Sequence, residues 1–130
     1  MKVEKAGIYV DAYELRKVLK SAQFLMTKAE RIVYGTPVLS ECAQFMSDFV
    51  MAYEFEEERT YYFKKMSASF EVMKSDLRII AECHVLKGTS SDHAEMKADT
   101  MIVRIFELVG RIDDGISKWK RSALGKTIVG

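Results

Sequence analysis

The feature that most limits the fold is a run of apolar residues spaced alternately three and four apart. Phe63, Met66, Phe70, Met73, Leu77 and Ile80, continued by His84, keep that rule over three heptads. The alternation lines these side chains along one stripe of an α-helix and along no single face of a strand. A second run, Ala98, Met101, Ile105, Leu108, Ile112, Gly115 and Trp119, repeats it. Two seven-residue seams of this length predict helices packed nearly in line, with axes about 20° apart.

The rest of the chain supplies two more helices. Asp11 reads as an N-cap for a helix over about 11–29, whose inner face is Leu15, Val18, Leu19, Ala22, Leu25, Met26 and Ala29. Tyr34 to Pro37 reads as a break, with Thr36 as hydroxyl cap and Pro37 in the first turn of the next helix. That second helix, about 37–55, buries Leu39, Cys42, Phe45, Met46, Phe49, Val50 and Tyr53. A reversal is expected in "YEFEEERT", where four glutamates interrupt the apolar face; one continuous long helix is the alternative.

A third helix, about 59–87, should stop at Gly88, and a fourth, about 92–121, opens on Asp92 and Glu95 at capping-box spacing. The tail after Ser122 is expected to fray or to pair with another subunit. One proline and seven glycines suit this reading better than a fold rich in strands and tight turns. The expected fold is all-α, one domain over 1–130, an antiparallel up-down-up-down four-helix bundle.

Charge narrows the function classes. The net charge is +1, so the whole chain does not announce a nucleic-acid binder. Its distribution is uneven: residues 36–58 carry six acids and no Lys or Arg, while both flanking segments are net basic. No apolar signal-peptide core is visible, and no run approaches the about 20 apolar residues of a membrane span. With Cys42 and Cys83 at no zinc or redox spacing, both read as small buried hydrophobes of a soluble, cytoplasmic protein with no membrane partner.

Catalytic patterns are missing from the sequence. His84 falls on a core seam and His93 in the exposed opening turn of the fourth helix. Neither has the Glu three residues earlier that a di-iron bundle needs. "GKT" at Gly125 to Thr127 lacks the upstream glycine of a phosphate loop. Asp113 and Asp114 are adjacent, so on a helix they diverge by about 100° and cannot act as a carboxylate pair. The reading is of a non-enzyme with no metal and no cofactor.

Basic residues on the fourth helix are ordered. Lys97, Arg104, Arg111 and Lys118 recur every seven residues beside the seam, followed by Lys120 and Arg121. Lys74 and Arg78 on the third helix, one turn apart, could extend the row; Arg16 and Lys20 on the first have the same spacing. Such stems can simply flank a core and reach outward to water. They can also track phosphates, neutralising backbone charge without reading sequence. Phe24, Phe55, Tyr61, Tyr62, Ile102, Phe106 and Val109 lie off the seams, more apolar surface than one small bundle hides, which points to a homo-oligomer.

Three stretches carry a family resemblance: "AERIVYGTPVLSECAQFMSDFVMAYEFEEERTYYFKKM", "LRIIAECHVL" and "VGRIDDGISKWKRS". With Arg31, Tyr34, Gly35, Ala52, Tyr53, Leu77, Arg78, Gly110, Arg111, Gly115 and Trp119 as its pattern, residues 10–122 resemble the accessory variability determinant of diversity-generating retroelements. The bundle proteins encoded in intervening sequences of 23S ribosomal RNA are similar too. The resemblance implies a four-helix bundle assembled as a pentameric barrel. It further implies binding of RNA or DNA through a basic surface and association with the reverse transcriptase, in support of mutagenic cDNA synthesis. Family members are typically clearly basic, whereas this chain is nearly neutral, so local stripes would have to supply the charge. The rival expectation is a structural or protein-interaction bundle of the ribosomal intervening-sequence type that binds no nucleic acid.

Overall fold

The computed structural model describes residues 6–86 and 92–121, which are helical throughout apart from short connections and include no strand. Four long helices follow one another: α1 (Gly7–Ala22), α2 (Thr36–Glu54), α3 (Arg59–Glu82) and α4 (Asp92–Trp119). α1 packs on α2 and α4, and α2 packs on α3, around one shared apolar core. The third helix, expected over about 59–87 with its stop at Gly88, ends already at Glu82. Gly88 itself, the side chains of the Asp92–Glu95 capping box and the tail from 122 onward lie outside the described residues.

α1 begins four residues before the expected cap at Asp11. Ala6, in extended conformation, is the N-cap, and its carbonyl accepts from the Val10 N–H at 2.9 Å. Burial explains the earlier start. Ile8 and Ala12 continue the buried row of Leu15, Leu19 and Ala22 backward along the same face. Asp11 instead points toward α4.

The break after α1 also differs from expectation. The helix ends at Ala22, a 3-10 turn covers Gln23–Leu25, and Met26 is extended. Helix resumes at Thr27, whose Oγ accepts from the Glu30 N–H at 3.2 Å while Glu30 Oε1 accepts from the Thr27 N–H at 2.9 Å. That reciprocal capping box was present in the sequence as Thr-Lys-Ala-Glu. Tyr34 to Pro37 is no break at all: a π-helical turn over Arg31–Gly35 leads straight into α2, and Thr36 makes no side-chain cap. Pro37 lacks an N–H and its ring would crowd the Val33 carbonyl in a regular helix, so a widened turn just before it relieves both problems.

The reversal in "YEFEEERT" falls where it was expected. Phe55 turns extended, Glu56–Glu58 form a 3-10 turn, and Arg59 opens α3. Arg59 also finishes α2: its Nε donates to the Ala52 carbonyl at 2.9 Å and its Nη2 to the Tyr53 carbonyl at 3.3 Å. Those carbonyls have no partner within the helix, so the guanidinium takes the place of a missing glycine cap.

The α3 seam of Phe63, Met66, Phe70, Met73, Leu77 and Ile80 is buried as the spacing requires. His84 does not continue it. It is exposed with φ 53, the left-handed position of a Schellman stop. The Val85 N–H bonds back to the Ile80 carbonyl at 3.1 Å and the His84 N–H to the Ala81 carbonyl at 3.3 Å. Val85, 2% exposed, then rejoins the core. Cys83 beside it is exposed, whereas Cys42 is buried as expected, its thiol donating to the Ala12 carbonyl at 3.6 Å.

On α4, Ala98, Ile105, Leu108 and Ile112 are buried, with Met101 and Trp119 half-buried along the same seam. Val109, expected beside the seam, is buried too, and Ile102 and Phe106 pack partly against the core. Trp119 closes one end of the core. Its ring lies 5.3 Å from Phe49 and 5.1 Å from Phe63, the second pair edge-on, as aromatic quadrupoles prefer.

Candidate nucleic-acid interface

The basic row of α4 runs along the side of that helix that faces α1. Lys97, Arg111 and Lys118 are exposed and Arg104 is half-buried. A strict seven-residue repeat drifts about 20° per heptad on a straight helix, so the row winds slowly rather than running parallel to the axis. Lys120 does not join it: two residues beyond Lys118 is a turn of about 200°. Arg121 follows in a short π-helical turn and is exposed.

Acids of the same chain answer part of the row. Arg111 Nη2 stands 3.3 Å from Asp11 Oδ1, and Arg104 Nη1 stands 3.4 Å from Glu107 Oε2. The Arg111 pair ties α4 to the first turns of α1. Between the two helices an open groove of about 270 Å³ is lined by Glu14, Lys17, Val18 and Ser21 on one side and Thr100, Met101 and Arg104 on the other. Lys17 is paired with Glu14 at 3.0 Å and lies over the Tyr13 ring. The surface beside the row is therefore mixed in sign.

The two α3 positions separate. Arg78 is exposed. Lys74 turns inward and is 13% exposed, with Nζ 3.0 and 3.1 Å from the two Asp113 oxygens and 2.8 Å from Glu71 Oε1. Burial pulls the Lys74 ammonium down, but hydrogen bonds and charge from Glu71 and Asp113 outweigh it and hold it above the usual lysine value. Lys74 is thus a brace between α3 and α4 and does not extend the outward row. Arg16 and Lys20 on α1 are both exposed.

Sequence reading missed a polar seam between α2 and α3. Asp48 is 1% exposed; its Oδ1 accepts from Gln44 Nε2 at 3.0 Å and faces Lys65 Nζ at 3.6 Å, while Oδ2 has no partner. One heptad earlier, Glu41 meets Asp76 across the same pair of helices, with its Oε2 buried and unpartnered. Burial first, then the hydrogen bond and charge of Asp76, push the Glu41 carboxyl up to about 8. The available signal was the seven-residue spacing of Glu41 and Asp48 in a helix that buries its flanking Phe45 and Phe49. On the face of α2 turned to α1, burial likewise pushes the Cys42 thiol up to about 11, against the charge of Arg16.

Among the described residues no group of three or more His, Cys, Asp and Glu side chains could hold a metal ion. Nor is any helix among them long and apolar enough to cross a membrane. No protein-family model, no curated protein and no solved structure matches the chain.

Proposed function

We propose that this protein is a non-enzymatic, cytoplasmic accessory subunit of a diversity-generating retroelement, one that binds RNA or DNA and associates with the reverse transcriptase. The observation that carries this reading is the heptad row on α4, with Lys97, Arg111 and Lys118 exposed beside Arg104. Cations at regular spacing along one helix suit a regularly charged backbone, and they need no base contacts to do so. The resemblance of residues 10–122 supplies the partner.

The architecture assigned with it is an up-down-up-down bundle in a pentameric barrel. Residue pairings favour opposed neighbours: Ile8 near the start of α1 meets Gly115 near the end of α4, and Phe63 near the start of α3 meets Trp119. Phe45 on α2 lies 5.1 Å from Phe70 on α3, while Asp48 faces Lys65 and Glu41 faces Asp76. Exposed Phe24, Ile32, Val33, Tyr61, Val72 and Val103 favour further assembly.

A structural bundle without nucleic-acid binding is the second reading. It is favoured by the ion pairs that Asp11 and Glu107 make with Arg111 and Arg104. Gel retardation of labelled RNA and DNA over a salt series separates the two. The accessory-subunit reading expects retardation that weakens steeply with salt, and a Lys97→Glu/Arg104→Glu variant with lower affinity and a shallower salt slope. No retardation at low salt selects the structural bundle. Co-purification with a candidate reverse transcriptase tests the partner separately.

A further inference from the structure

The outer edge of the α2–α3 pair holds a recess of about 150 Å³, lined by Val33, Tyr34, Pro37, Asp76, Ile79 and Ile80. Its walls are mostly apolar, with the Tyr34 phenol and Asp76, which is hydrogen-bonded to Glu41, as the polar groups. A space of this size and character admits a benzene-sized ring. Val33 and Ile79 on its rim are themselves exposed, at 60% and 42%.

The chain also carries the matching knob. Phe24, in the 3-10 turn that follows α1, is 84% exposed, more than any other large apolar side chain described. It lies four residues beyond Lys20, and both are exposed at this end of the helix, where the exposed Arg16 adds positive charge. The acid at the recess is Asp76 of α3, half-buried beside Glu41 of α2, and α2 carries no Lys or Arg that would offset it.

Heights along the bundle agree as well. Leu19 and Ala22 of α1 and Gln23 just beyond it line one small cavity together with Val38 of α2 and Leu77 and Ile80 of α3. Lys20 and Phe24 therefore stand at the level of Asp76 and Ile79, but on a different side of the molecule. Copies related by rotation about an axis along the helices bring residues of equal height together.

We propose that the recess receives Phe24 of a second copy of this chain, with Lys20 of that copy set against the Glu41–Asp76 pair. The contact joins two different surfaces, so it is head-to-tail and leaves each copy with one knob and one recess to pass on; it closes into a ring when the rotation allows. This assignment rests on the oligomeric part of the function proposed above and names the surfaces that make it.

The test is the solution mass of the full chain by light scattering at micromolar concentration. The wild-type chain should be an oligomer. Phe24→Ser and Ile79→Lys should each fall to the single-chain mass of 14.9 kDa with unchanged helical circular dichroism. Should Ile79→Lys fail to fold, Val33→Lys takes its place. An equimolar mixture of the two broken variants should recover a species of twice the single-chain mass, because one keeps its recess and the other its knob. Lys20→Glu should weaken assembly, and adding Asp76→Lys should restore it. A monomeric wild-type chain, a Phe24→Ser variant of wild-type mass, or a mixture that stays monomeric overturns the proposal. Retardation is read on the same samples: an oligomer that retards nothing sinks nucleic-acid binding and leaves this contact standing, whereas a monomer that still retards RNA does the reverse.

Discussion

Ile8 fills the space that Gly115 leaves empty: a Cβ built on Gly115 would stand 2.8 Å from Ile8 Cγ1. α1 can lie this close to α4 only because position 115 has no side chain. Gly110, on the same helix, has nothing within 4 Å of the equivalent point. Alanine should therefore act in opposite directions at the two sites. At Gly110 it should stabilise by up to about 1 kcal/mol through helix propensity. At Gly115 the crowding of a branched core side chain, about 1–3 kcal/mol, should exceed that gain. Urea denaturation of both variants decides, and Ile8→Ala combined with Gly115→Ala should lose less than the two single changes added together. Equal gains at the two glycines would remove the close-approach account.

Lys74 tests whether a basic residue near the row is structural. Its stem is buried against Phe70, with Nζ 5.3 Å from that ring, and its charge is answered by Asp113 and Glu71. Lys74→Met keeps the apolar stem and removes the ammonium. The denaturation midpoint should fall by an amount corresponding to about 1 kcal/mol, since Asp113 and Glu71 are largely solvated and the pairs are screened. Nucleic-acid retardation should stay at the wild-type level, in contrast to Lys97→Glu/Arg104→Glu. A variant that keeps its stability and loses binding would return Lys74 to the row.

Periodicity carried most of the fold and little of the local geometry. The α3 and α4 seams were legible because burial in a helix follows spacing, and twelve of their fourteen positions, all but His84 and Gly115, are apolar. His84 matched the spacing and still left the core, because the chain needed a left-handed residue to bring Val85 back inward. Tyr34 to Pro37 carried break residues, yet a π-helical turn absorbed the proline. The α4 row was legible by position, but its ion pairs were not: Asp11 and Arg111 are distant in sequence and meet only once α1 lies on α4. Glu41 and Asp76 escaped for the same reason.

The left-handed residue at 84 should be improvable. A non-glycine side chain in that conformation costs roughly 1–2 kcal/mol, and glycine removes the clash at some cost in unfolded-state entropy. His84→Gly should raise the melting temperature by about 2–4 °C. His84→Val should lower it, because a branched Cβ tolerates positive φ poorly. Scanning calorimetry of the three chains gives the order directly. A melting temperature of His84→Gly below that of the wild-type chain would mean the imidazole contributes something besides backbone geometry.

Glu41 sets a pH dependence whose sign is fixed by its environment. Its carboxyl titrates near 4.5 when unfolded and at about 8 in the fold, where burial and the neighbouring Asp76 favour the neutral form. Between those values the folded chain holds a proton that the unfolded chain has released. Stability from this site is therefore whole below the unfolded value and is lost as pH rises through the folded one. Glu41→Gln carries the neutral shape at every pH, so the variant should gain on the wild-type chain as pH climbs from about 5 to 8. Denaturation midpoints of the two proteins across that range are the measurement. A gap that stays constant with pH would show that the Glu41 carboxyl ionises in the fold at its ordinary value.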